Sequence, residues 1–392
     1  MKKGLVSALS SIVSILIGTL FGLILLIAVN SGEAFTSFGK LLSSGVSTLP
    51  KLAKVFYQAA PLLMCGLSVG FAFKTGLFNI GASGQYTVGA FAALFGAIVL
   101  QLPWYICLIL AMIMGAIWGF FPGLFKALFN VNEVITSIML NWIGLFAVNL
   151  LCMNIPKMLP PFWVSSPIKD RTAALSYANP GAIIPKLGLD KVFDSPYINI
   201  SIIIAILIAI LMWVLINKTT KGYELRACGY NRFASIYAGI NAKSNIVLSM
   251  VIAGALAGIG GGLYYLAGTA DYNIQKALLG MGFNGIAVAL LGSSNPIGII
   301  FSSLFISYIQ VGGEALQPIY AKEMIDIIIA VIIYLSAFSL FTRNLLTKWF
   351  KFDRHSGNVN DDPIPPVVPT DTEKKEITIA PDAAVNESEV KA

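Results

Sequence analysis

Apolar runs long enough to cross a bilayer constrain this chain more than any other feature of its sequence. The run from Leu5 to Val29 is the first of ten predicted spans, and about 20 apolar residues suffice for a helix to span the hydrocarbon core. Hydrophobic residues make up 57% of the 392 and charged residues only 11%, whereas soluble domains contain about 25% charged residues. The sequence therefore predicts an all-α, polytopic integral membrane protein.

Short connections separate most of the predicted spans, and one long loop stands out. A signal peptide is the alternative interpretation of the first span, but no small-residue cleavage site follows it. The ten spans are predicted at about residues 5–29, 52–73, 76–100, 104–128, 130–153, 197–216, 244–267, 278–291, 297–313 and 324–341.

The distribution of charge predicts the domains and the orientation. Residues 1–352 form a predicted transmembrane domain, and residues 353–392 form a polar tail that we predict to be disordered. The tail holds 9 acidic and 4 basic residues, so the net charge of +7 understates the basic excess of the membrane domain. Basic residues favour the cytoplasmic side. We therefore predict cytoplasmic termini, a cytoplasmic 219–243 connection and an extracytoplasmic 154–196 loop. No soluble basic face indicates nucleic acid as a partner.

Residues 219–243, between the sixth and seventh spans, are basic, glycine-punctuated and predicted to form two short helices. The first helix would begin at Thr219–Thr220 and end at Gly229, and the second would take Asn231 as its N-cap and end at Gly239. One apolar stripe follows the second helix and consists of Phe233, Ile236, Tyr237 and Ile240. This pattern indicates a docking surface, and the alternative is a basic loop lying on lipid headgroups.

Two spans carry glycines at intervals of four residues, which lets helix backbones approach closely. The fourth span contains Gly115, Gly119 and Gly123, and the seventh contains Gly254, Gly258 and Gly262. We predict that both sets are helix-packing faces.

A glycine-flanked Phe-Asn pair occurs twice, in GLFNIG from Gly76 and in GMGFNG from Gly280. The repetition is compatible with two related five-helix halves, and chance is the alternative because no fixed period accompanies it. The first copy lies in the stretch from Gly76 to Gln85, where many glycines and polar groups occur at membrane depth. Such a composition predicts a broken segment that is buried in protein.

Motifs for metal-dependent catalysis and for nucleotide binding are absent from the sequence. It contains no HExxH or Walker A motif, and its four cysteines are scattered. The pattern GxSxG occurs once, from Gly66 to Gly70 inside the second span, but the single histidine, His355, lies in the tail. We therefore predict a non-enzyme without a metal or cofactor. The span interiors instead contain amides, which include Asn79, Gln85, Asn141 and Asn284. A path lined by amides suits a neutral, hydroxyl-rich solute, and the alternative is that each amide joins two helices.

Four blocks of the chain resemble the signature stretches of permease subunits of bacterial ABC importers. They occur in collinear order at 73–85 (FKTGLFNIGASGQ), 130–141 (NVNEVITSIMLN), 226–241 (RACGYN and YAGIN) and 282–298 (GFNGIAVALLG and NPIG). The closest branch is the simple-sugar and nucleoside uptake permeases, within a group that also includes branched-chain amino acid permeases. Ser83 stands where the family more commonly has glutamate.

The resemblance implies a subunit of the cytoplasmic membrane that binds no ATP itself. Its implied partners are two cytoplasmic ATPase subunits, a second permease subunit and an external substrate-binding protein. It implies ATPase coupling through Arg226, Gly229, Asn231, Arg232, Phe233, Ile236, Tyr237, Gly239 and Ile240. The solute path would be lined or gated by Asn79, Gln85, Asn141 and Asn284, and nucleosides are the favoured solutes.

Two other functions remain open at this point. An ATP-independent facilitator or channel would have the same helical body but would not need an apolar docking helix on the cytoplasmic side. Among importers, a branched-chain amino acid permease is the alternative to a nucleoside or sugar permease. An intramembrane enzyme is the weakest reading, because the sequence has no set of catalytic residues.

Overall fold

The structure is a computed structural model that describes residues 3–159, 170–274, 276–317 and 319–336. Each of the ten predicted spans contains a helix; numbered in chain order, these are α1 (Lys3–Val29), α3 (Leu49–Lys74), α4 (Ala82–Ile98), α5 (Trp104–Phe129), α6 (Glu133–Asn154), α9 (Ser201–Lys218), α12 (Ala242–Tyr265), α13 (Gly280–Leu291), α14 (Pro296–Glu314) and α15 (Lys322–Ser336). The shorter helices are α2 (Ala34–Ser43), α7 (Leu175–Ala178), α8 (Leu189–Phe193), α10 (Thr220–Tyr230) and α11 (Arg232–Tyr237). The predicted tail lies outside the described residues.

Six of these helices, α3, α5, α6, α9, α12 and α14, have the length and the hydropathy needed to cross a membrane. The described apolar part of α1, Leu16–Val29, is shorter, and so are α4, α13 and α15. The predicted fold class is confirmed: the chain is an all-α, multi-pass membrane protein.

Helix α12 lies at the centre of the packing, because it contacts α3, α4 and α5 extensively. Its glycine-rich part presents backbone to three neighbours at once. A β-carbon at Gly258 would lie 2.3 Å from a carbonyl oxygen of α5, one at Gly261 2.3 Å from a carbonyl oxygen of α4, and one at Gly260 3.1 Å from a carbonyl oxygen of α3. Gly258 and Gly261 cannot be replaced without moving backbone atoms of the neighbouring helix, and the contact at Gly260 is also tight.

The two glycine faces predicted in the fourth and seventh spans pack against each other as α5 and α12. A β-carbon at Gly115 would lie 2.4 Å from the carbonyl oxygen of Gly254, and one at Gly254 would lie 2.3 Å from that of Gly115. One at Gly119 would lie 2.3 Å from the carbonyl oxygen of Met250. Gly262 makes a looser contact, 3.0 Å from the β-carbon position to a side-chain atom of α5. The two backbones are therefore in direct contact over several turns.

We expect Gly254→Val to destabilise the protein strongly, because the new β-carbon would overlap the main chain of Gly115. Overpacking typically costs about 1–3 kcal/mol where side chains can adjust, and main-chain atoms adjust less. The expected result is a lower Tm and less folded protein in detergent, measured by fluorescence-detected size exclusion after heating. Gly39→Val in α2 is the control, since its β-carbon meets nothing within 4 Å. Equal losses in both variants would contradict the packing described.

The connection between α3 and α4 is broken, as the composition of the third span predicts. Residues 75–81 are not helical, and α4 begins only at Ala82. The chain turns back along α3, so that Asn79 Nδ2 donates to Ser68 Oγ at 3.0 Å. Ala82 packs in one cluster with Ala257, which lies about 22 Å along α12 from its start at 1.5 Å per residue. Helix α4 thus begins within the helix bundle.

Helix α13 also begins within the bundle, beside the first turn of α4. Ser83 Oγ donates to the carbonyl oxygen of Leu279 at 2.8 Å, and a β-carbon at Gly282 would lie 2.3 Å from Ser83 Cα. The helix then runs along α3, where Gly285 contacts Cys65. The two Phe-Asn motifs therefore lie at two helix starts that meet.

The connection between the first two predicted spans contains a helix that the sequence analysis did not predict. This helix is α2, whose Ala34, Ser37 and Leu41 are buried. Leu41 lies against α14, since a β-carbon at Gly312 would be 2.2 Å from its carbonyl oxygen. The amphipathic pattern of α2 was the missed signal.

The long loop after α6 is tied to the connection between α12 and α13. The amide of Thr172 donates to the carbonyl oxygen of Tyr272 at 2.9 Å, and Arg171 and Asn273 form an antiparallel bridge. Tyr272 Oη in turn donates to Asn149 Oδ1 of α6 at 3.1 Å. Within its described part, the loop is therefore anchored to the helix ends.

Candidate functional site

The coupling segment, residues 219–243, folds into α10 and α11 with most of the predicted helix ends. The amide of Gly222 donates to Thr219 Oγ1 at 3.0 Å, which caps α10. The amide of Ala234 donates to Asn231 Oδ1 at 2.9 Å, which caps α11. Gly239 follows α11 with a φ of +80°, a conformation that glycine adopts at little cost. The predicted caps at Thr219 and Asn231 and the stop at Gly239 are confirmed.

The predicted end of the first helix at Gly229 is wrong, because α10 continues to Tyr230. Gly229 serves a different purpose, which is close backbone approach. A β-carbon at Gly229 would lie 2.5 Å from the carbonyl carbon of Thr75 and 2.6 Å from the amide nitrogen of Gly76. Gly76 itself has a φ of +73°, and its β-carbon would lie 2.4 Å from Gly229 Cα. The backbone of α10 therefore rests directly on the end of α3.

The apolar stripe of the coupling segment is exposed in the structure. Tyr237 is 93% exposed, Phe233 73% and Ile236 51%, while Ile240 is half-buried. Ser235 points inward from the same helix and is buried. Large apolar side chains that cluster on a surface commonly mark an interaction site, so this face of α11 is available to a partner.

Basic residues of the coupling segment lie beside the stripe and contact the membrane domain. Arg232 Nη1 donates to Asn130 Oδ1 at 3.4 Å, which links α11 to the turn between α5 and α6. Arg226 is half-buried in α10. At the same turn Lys126 pairs with Glu133 at 2.9 Å, so the acidic residue that begins α6 also joins this helix to α5.

Residues of α10 and α11 line an open groove of about 540 Å³ on the coupling segment. Glu224 lies on its wall, where Lys221 Nζ donates to Glu224 Oε2 at 2.8 Å. This hydrogen bond from Lys221 is the main reason that the pKa of Glu224 is lowered. The groove and the exposed stripe lie on the same two helices.

Three of the four amides predicted to line or gate a path meet around the break between α3 and α4. Asn79 Nδ2 donates to Gln85 Oε1 at 2.8 Å, and Gln85 Nε2 donates back to Asn79 Oδ1 at 3.2 Å. Asn141 Oδ1 accepts from the amide of Gly84 at 2.8 Å, and its Nδ2 donates to the carbonyl oxygen of Ile80 at 3.0 Å. We call Asn79, Gln85 and Asn141 the amide cluster.

The members of the amide cluster are buried, with 0% of Asn79 and 1% each of Gln85 and Asn141 exposed. Asn141 binds the carbonyl oxygen of Ile80 in the broken segment and the amide of Gly84 in the first turn of α4. Asn79 joins the same segment to Ser68 of α3. Asn284 lies apart from these bonds in α13 and is half-buried. The amide cluster thus holds the broken segment against α3 and α6.

A cavity of about 440 Å³ opens at the end of α12 that is distant from the coupling segment. We call it the outer cavity. Two buried tyrosines, Tyr86 and Tyr265, line it together with half-buried Tyr264 and Asp271, and exposed Arg171 and Asn273 lie at its rim. None of the four predicted path amides is among its lining residues. The sequence analysis did not predict this site. The signal that could have indicated it is the pair Tyr264–Tyr265, which is followed closely by Asp271, Tyr272 and Asn273.

A family model described as "Branched-chain amino acid transport system / permease component" matches residues 51–337 of this chain. The chain belongs to this permease family. The matched residues contain the coupling segment, the amide cluster and the outer cavity. All three features are therefore parts of the permease body.

Named relatives match the permease over most of its length. It is 37% identical to the guanosine ABC transporter permease protein NupP of Bacillus subtilis, over 89% of this chain and 98% of that protein. It is 35% identical to the nucleoside ABC transporter permease protein NupB of Lactococcus lactis, over 86% and 92% of the two chains. The glucose ABC transporter permease protein TsgB13 of Haloferax volcanii is 26% identical, over 85% and 88%. No solved structure matches this permease.

In the permease, an ion pair stands near the outer cavity and connects α3 with α14. Lys54 Nζ contacts Glu314 Oε2, and Gln58 Nε2 donates to Glu314 Oε1 at 3.1 Å. The Lys54 ammonium also lies 5.7 Å from the ring centre of Tyr197. These contacts fix the start of α3 beside the aromatic wall of the cavity.

Burial raises the pKa of Asp271 on the wall of the outer cavity, and the nearby Arg171 guanidinium partly opposes that rise. The carboxyl group is thus partly desolvated but has a cation within range. A ligand that donates hydrogen bonds would compensate its lost hydration.

Proposed function

We propose that this permease carries nucleosides across the bacterial cytoplasmic membrane as the membrane-spanning subunit of an ATP-driven importer. The exposed stripe of Phe233, Ile236 and Tyr237 carries this proposal, because a facilitator or channel has no need of an apolar surface on the coupling segment. The names of the two nucleoside-transporting relatives, at 37% and 35% identity, support the choice of solute. Simple sugars are the second class, on the weaker similarity to a glucose permease.

Membership of the permease family supports the proposed partners. Two ATPase subunits would bind ATP and receive the stripe, and this chain would act without catalysis or a cofactor. A second permease subunit would complete the path, and an external binding protein would deliver the solute. The basic coupling segment and both termini would then be cytoplasmic.

The contact between Gly229 and the Thr75–Gly76 backbone offers a route for the ATP-driven movement. A displacement of α10 would press on the end of α3 and on the broken segment that follows. The amide cluster holds that segment, so we propose that Asn79, Gln85 and Asn141, with Asn284 of α13, line or gate the solute path. The glycine contact of α5 with α12 would let these helices shift.

The test is co-purification of the ATPase subunits with the permease from native membranes. Phe233→Asp combined with Tyr237→Asp should reduce the bound ATPase at least tenfold and stop ATP-dependent guanosine uptake in proteoliposomes. Leu187→Asp with Val192→Asp is the matched control, because these residues are 76% and 65% exposed in the distant loop. A permease that purifies alone and conducts guanosine without ATP would support the facilitator instead.

The solute class is tested with the same proteoliposomes, supplied with the binding protein. Labelled guanosine, glucose and leucine are compared as single solutes. Guanosine uptake that exceeds the other two by tenfold or more is the expected result. Preferential leucine uptake would assign the permease to branched-chain amino acids.

A further inference from the structure

We propose that the outer cavity is a nucleoside-binding site within the permease, in which the base stacks on Tyr264 and the ribose hydroxyls donate to Asp271. This inference rests on the proposed nucleoside function and adds to it the residues that recognise the solute. The cavity volume of about 440 Å³ lies within the range of roughly 300–1,000 Å³ that is usual for small-molecule sites.

The aromatic wall is held rigidly from behind. Tyr57 stacks on Tyr264 with ring centres 5.1 Å apart and planes 25° apart, and Tyr57 Oη donates to the carbonyl oxygen of Tyr264 at 3.2 Å. Tyr265 meets the same ring edge-on at 5.0 Å. A ring fixed in this way loses little conformational entropy when a planar base stacks on it. Stacking also suits purine and pyrimidine bases alike, since each has a π-face.

The polar wall is held equally well. Asp271 is followed by Tyr272, whose hydroxyl donates to Asn149 and whose carbonyl accepts from Thr172. The Arg171–Asn273 bridge lies beside it. A carboxylate has two acceptor oxygens, so Asp271 can receive both hydroxyls of a ribose diol. The carboxylate is half-buried with nearby Arg171 as a cation, which suits a neutral ligand that donates hydrogen bonds.

The start of α13 completes the lining. Gly280 borders the outer cavity, and a β-carbon there would meet nothing within 4 Å. Leu279, which precedes it, has no side-chain group that caps the helix. The first amides of a helix lack intrahelical acceptors, so they can donate to a carbonyl or ring nitrogen of the base. Tyr264 would therefore contact the face of the base, the first amides of α13 its edge, and Asp271 the ribose diol.

The experiment measures binding of labelled guanosine to the purified importer complex, with the external binding protein left out. Tyr264→Ala should raise the Kd about tenfold or more, given the usual contribution of base stacking, while Tyr264→Phe should leave it unchanged. Tyr105→Ala is the control, since Tyr105 is an exposed tyrosine of α5 that does not line the cavity.

The contact between Asp271 and the ribose diol is tested by the ratio of the affinities for guanosine and 2′-deoxyguanosine. A purely structural role of Asp271 would not change this ratio. The native complex should bind guanosine more tightly than 2′-deoxyguanosine, and Asp271→Asn should reduce that ratio at least threefold. Asp190→Asn, in the same loop as Arg171 but outside the lining of the cavity, should keep the ratio. Unchanged Kd values and ratios in a complex that still imports guanosine would overturn this inference and leave the proposed function standing. If the native complex imports no nucleoside, the proposed function itself fails.

Discussion

Gly229→Val is expected to lower ATP-driven uptake about a hundredfold while the ATPase subunits stay bound. The variant leaves the exposed stripe of α11 unchanged, so docking should persist. The new side chain would start 2.5 Å from the carbonyl carbon of Thr75 and 2.6 Å from the amide nitrogen of Gly76. Both are main-chain atoms, so the overlap can be relieved only if α10 and the end of α3 separate.

The separation would uncouple the movement of the ATPase subunits and α10 from the movement of α3 and the solute path. ATP hydrolysis by the bound subunits should continue, because the ATPase face is intact, while guanosine accumulation in proteoliposomes stops. Cys228→Val, at the neighbouring half-buried position, is the matched control and should retain most uptake. Normal uptake by Gly229→Val would show that movement reaches the solute path by another route.

Glycine occurs both at left-handed turns after helices and where two backbones approach closely. For this reason the sequence analysis identified Gly229 as important but assigned it the wrong role. A glycine near a predicted helix end indicates a left-handed turn, and Gly239 does adopt one, with a φ of +80°. Gly229 looks the same in sequence, yet its partner backbone lies about 150 residues earlier in the chain. Local spacing predicts helix ends, caps and the stripe, because those depend on neighbours within one or two turns. It cannot predict which distant backbone a glycine will touch.

The same limit applies to the outer cavity. Its walls come from the N-terminal part of α4, the long loop, the end of α12 with the connection after it, and the start of α13. No motif joins these segments in sequence. The glycines of α5 and α12 were predicted as packing faces because their spacing is regular. The spacing does not show, however, that the face on α5 packs against the face on α12. Long-range topology, which brings α4 and α13 to begin side by side, decides where a cavity forms.

The second large effect is expected from Asn141→Leu, which should lower both the Tm and the uptake of guanosine. Asn141 is 1% exposed, and it bonds the amide of Gly84 and the carbonyl of Ile80. Leucine would leave both backbone groups buried and unpaired, at about 1–3 kcal/mol each. The broken segment would then lose its attachment to α6. Asn154→Leu is the control on the same helix, since Asn154 is exposed and bonds only one turn back.

Asn141→Asp separates a structural role from contact with solute. A protonated carboxyl group reproduces both hydrogen bonds, whereas an ionised one places a second acceptor against the carbonyl of Ile80. A lower pH protonates the carboxyl group, so uptake by the aspartate variant, relative to the native protein at each pH, should recover as the pH falls. The Tm should follow the same course, because protonation restores the attachment of the broken segment. If Asn141→Leu instead raises the KM for guanosine and leaves the Tm unchanged, Asn141 contacts the solute directly and the attachment to α6 contributes little.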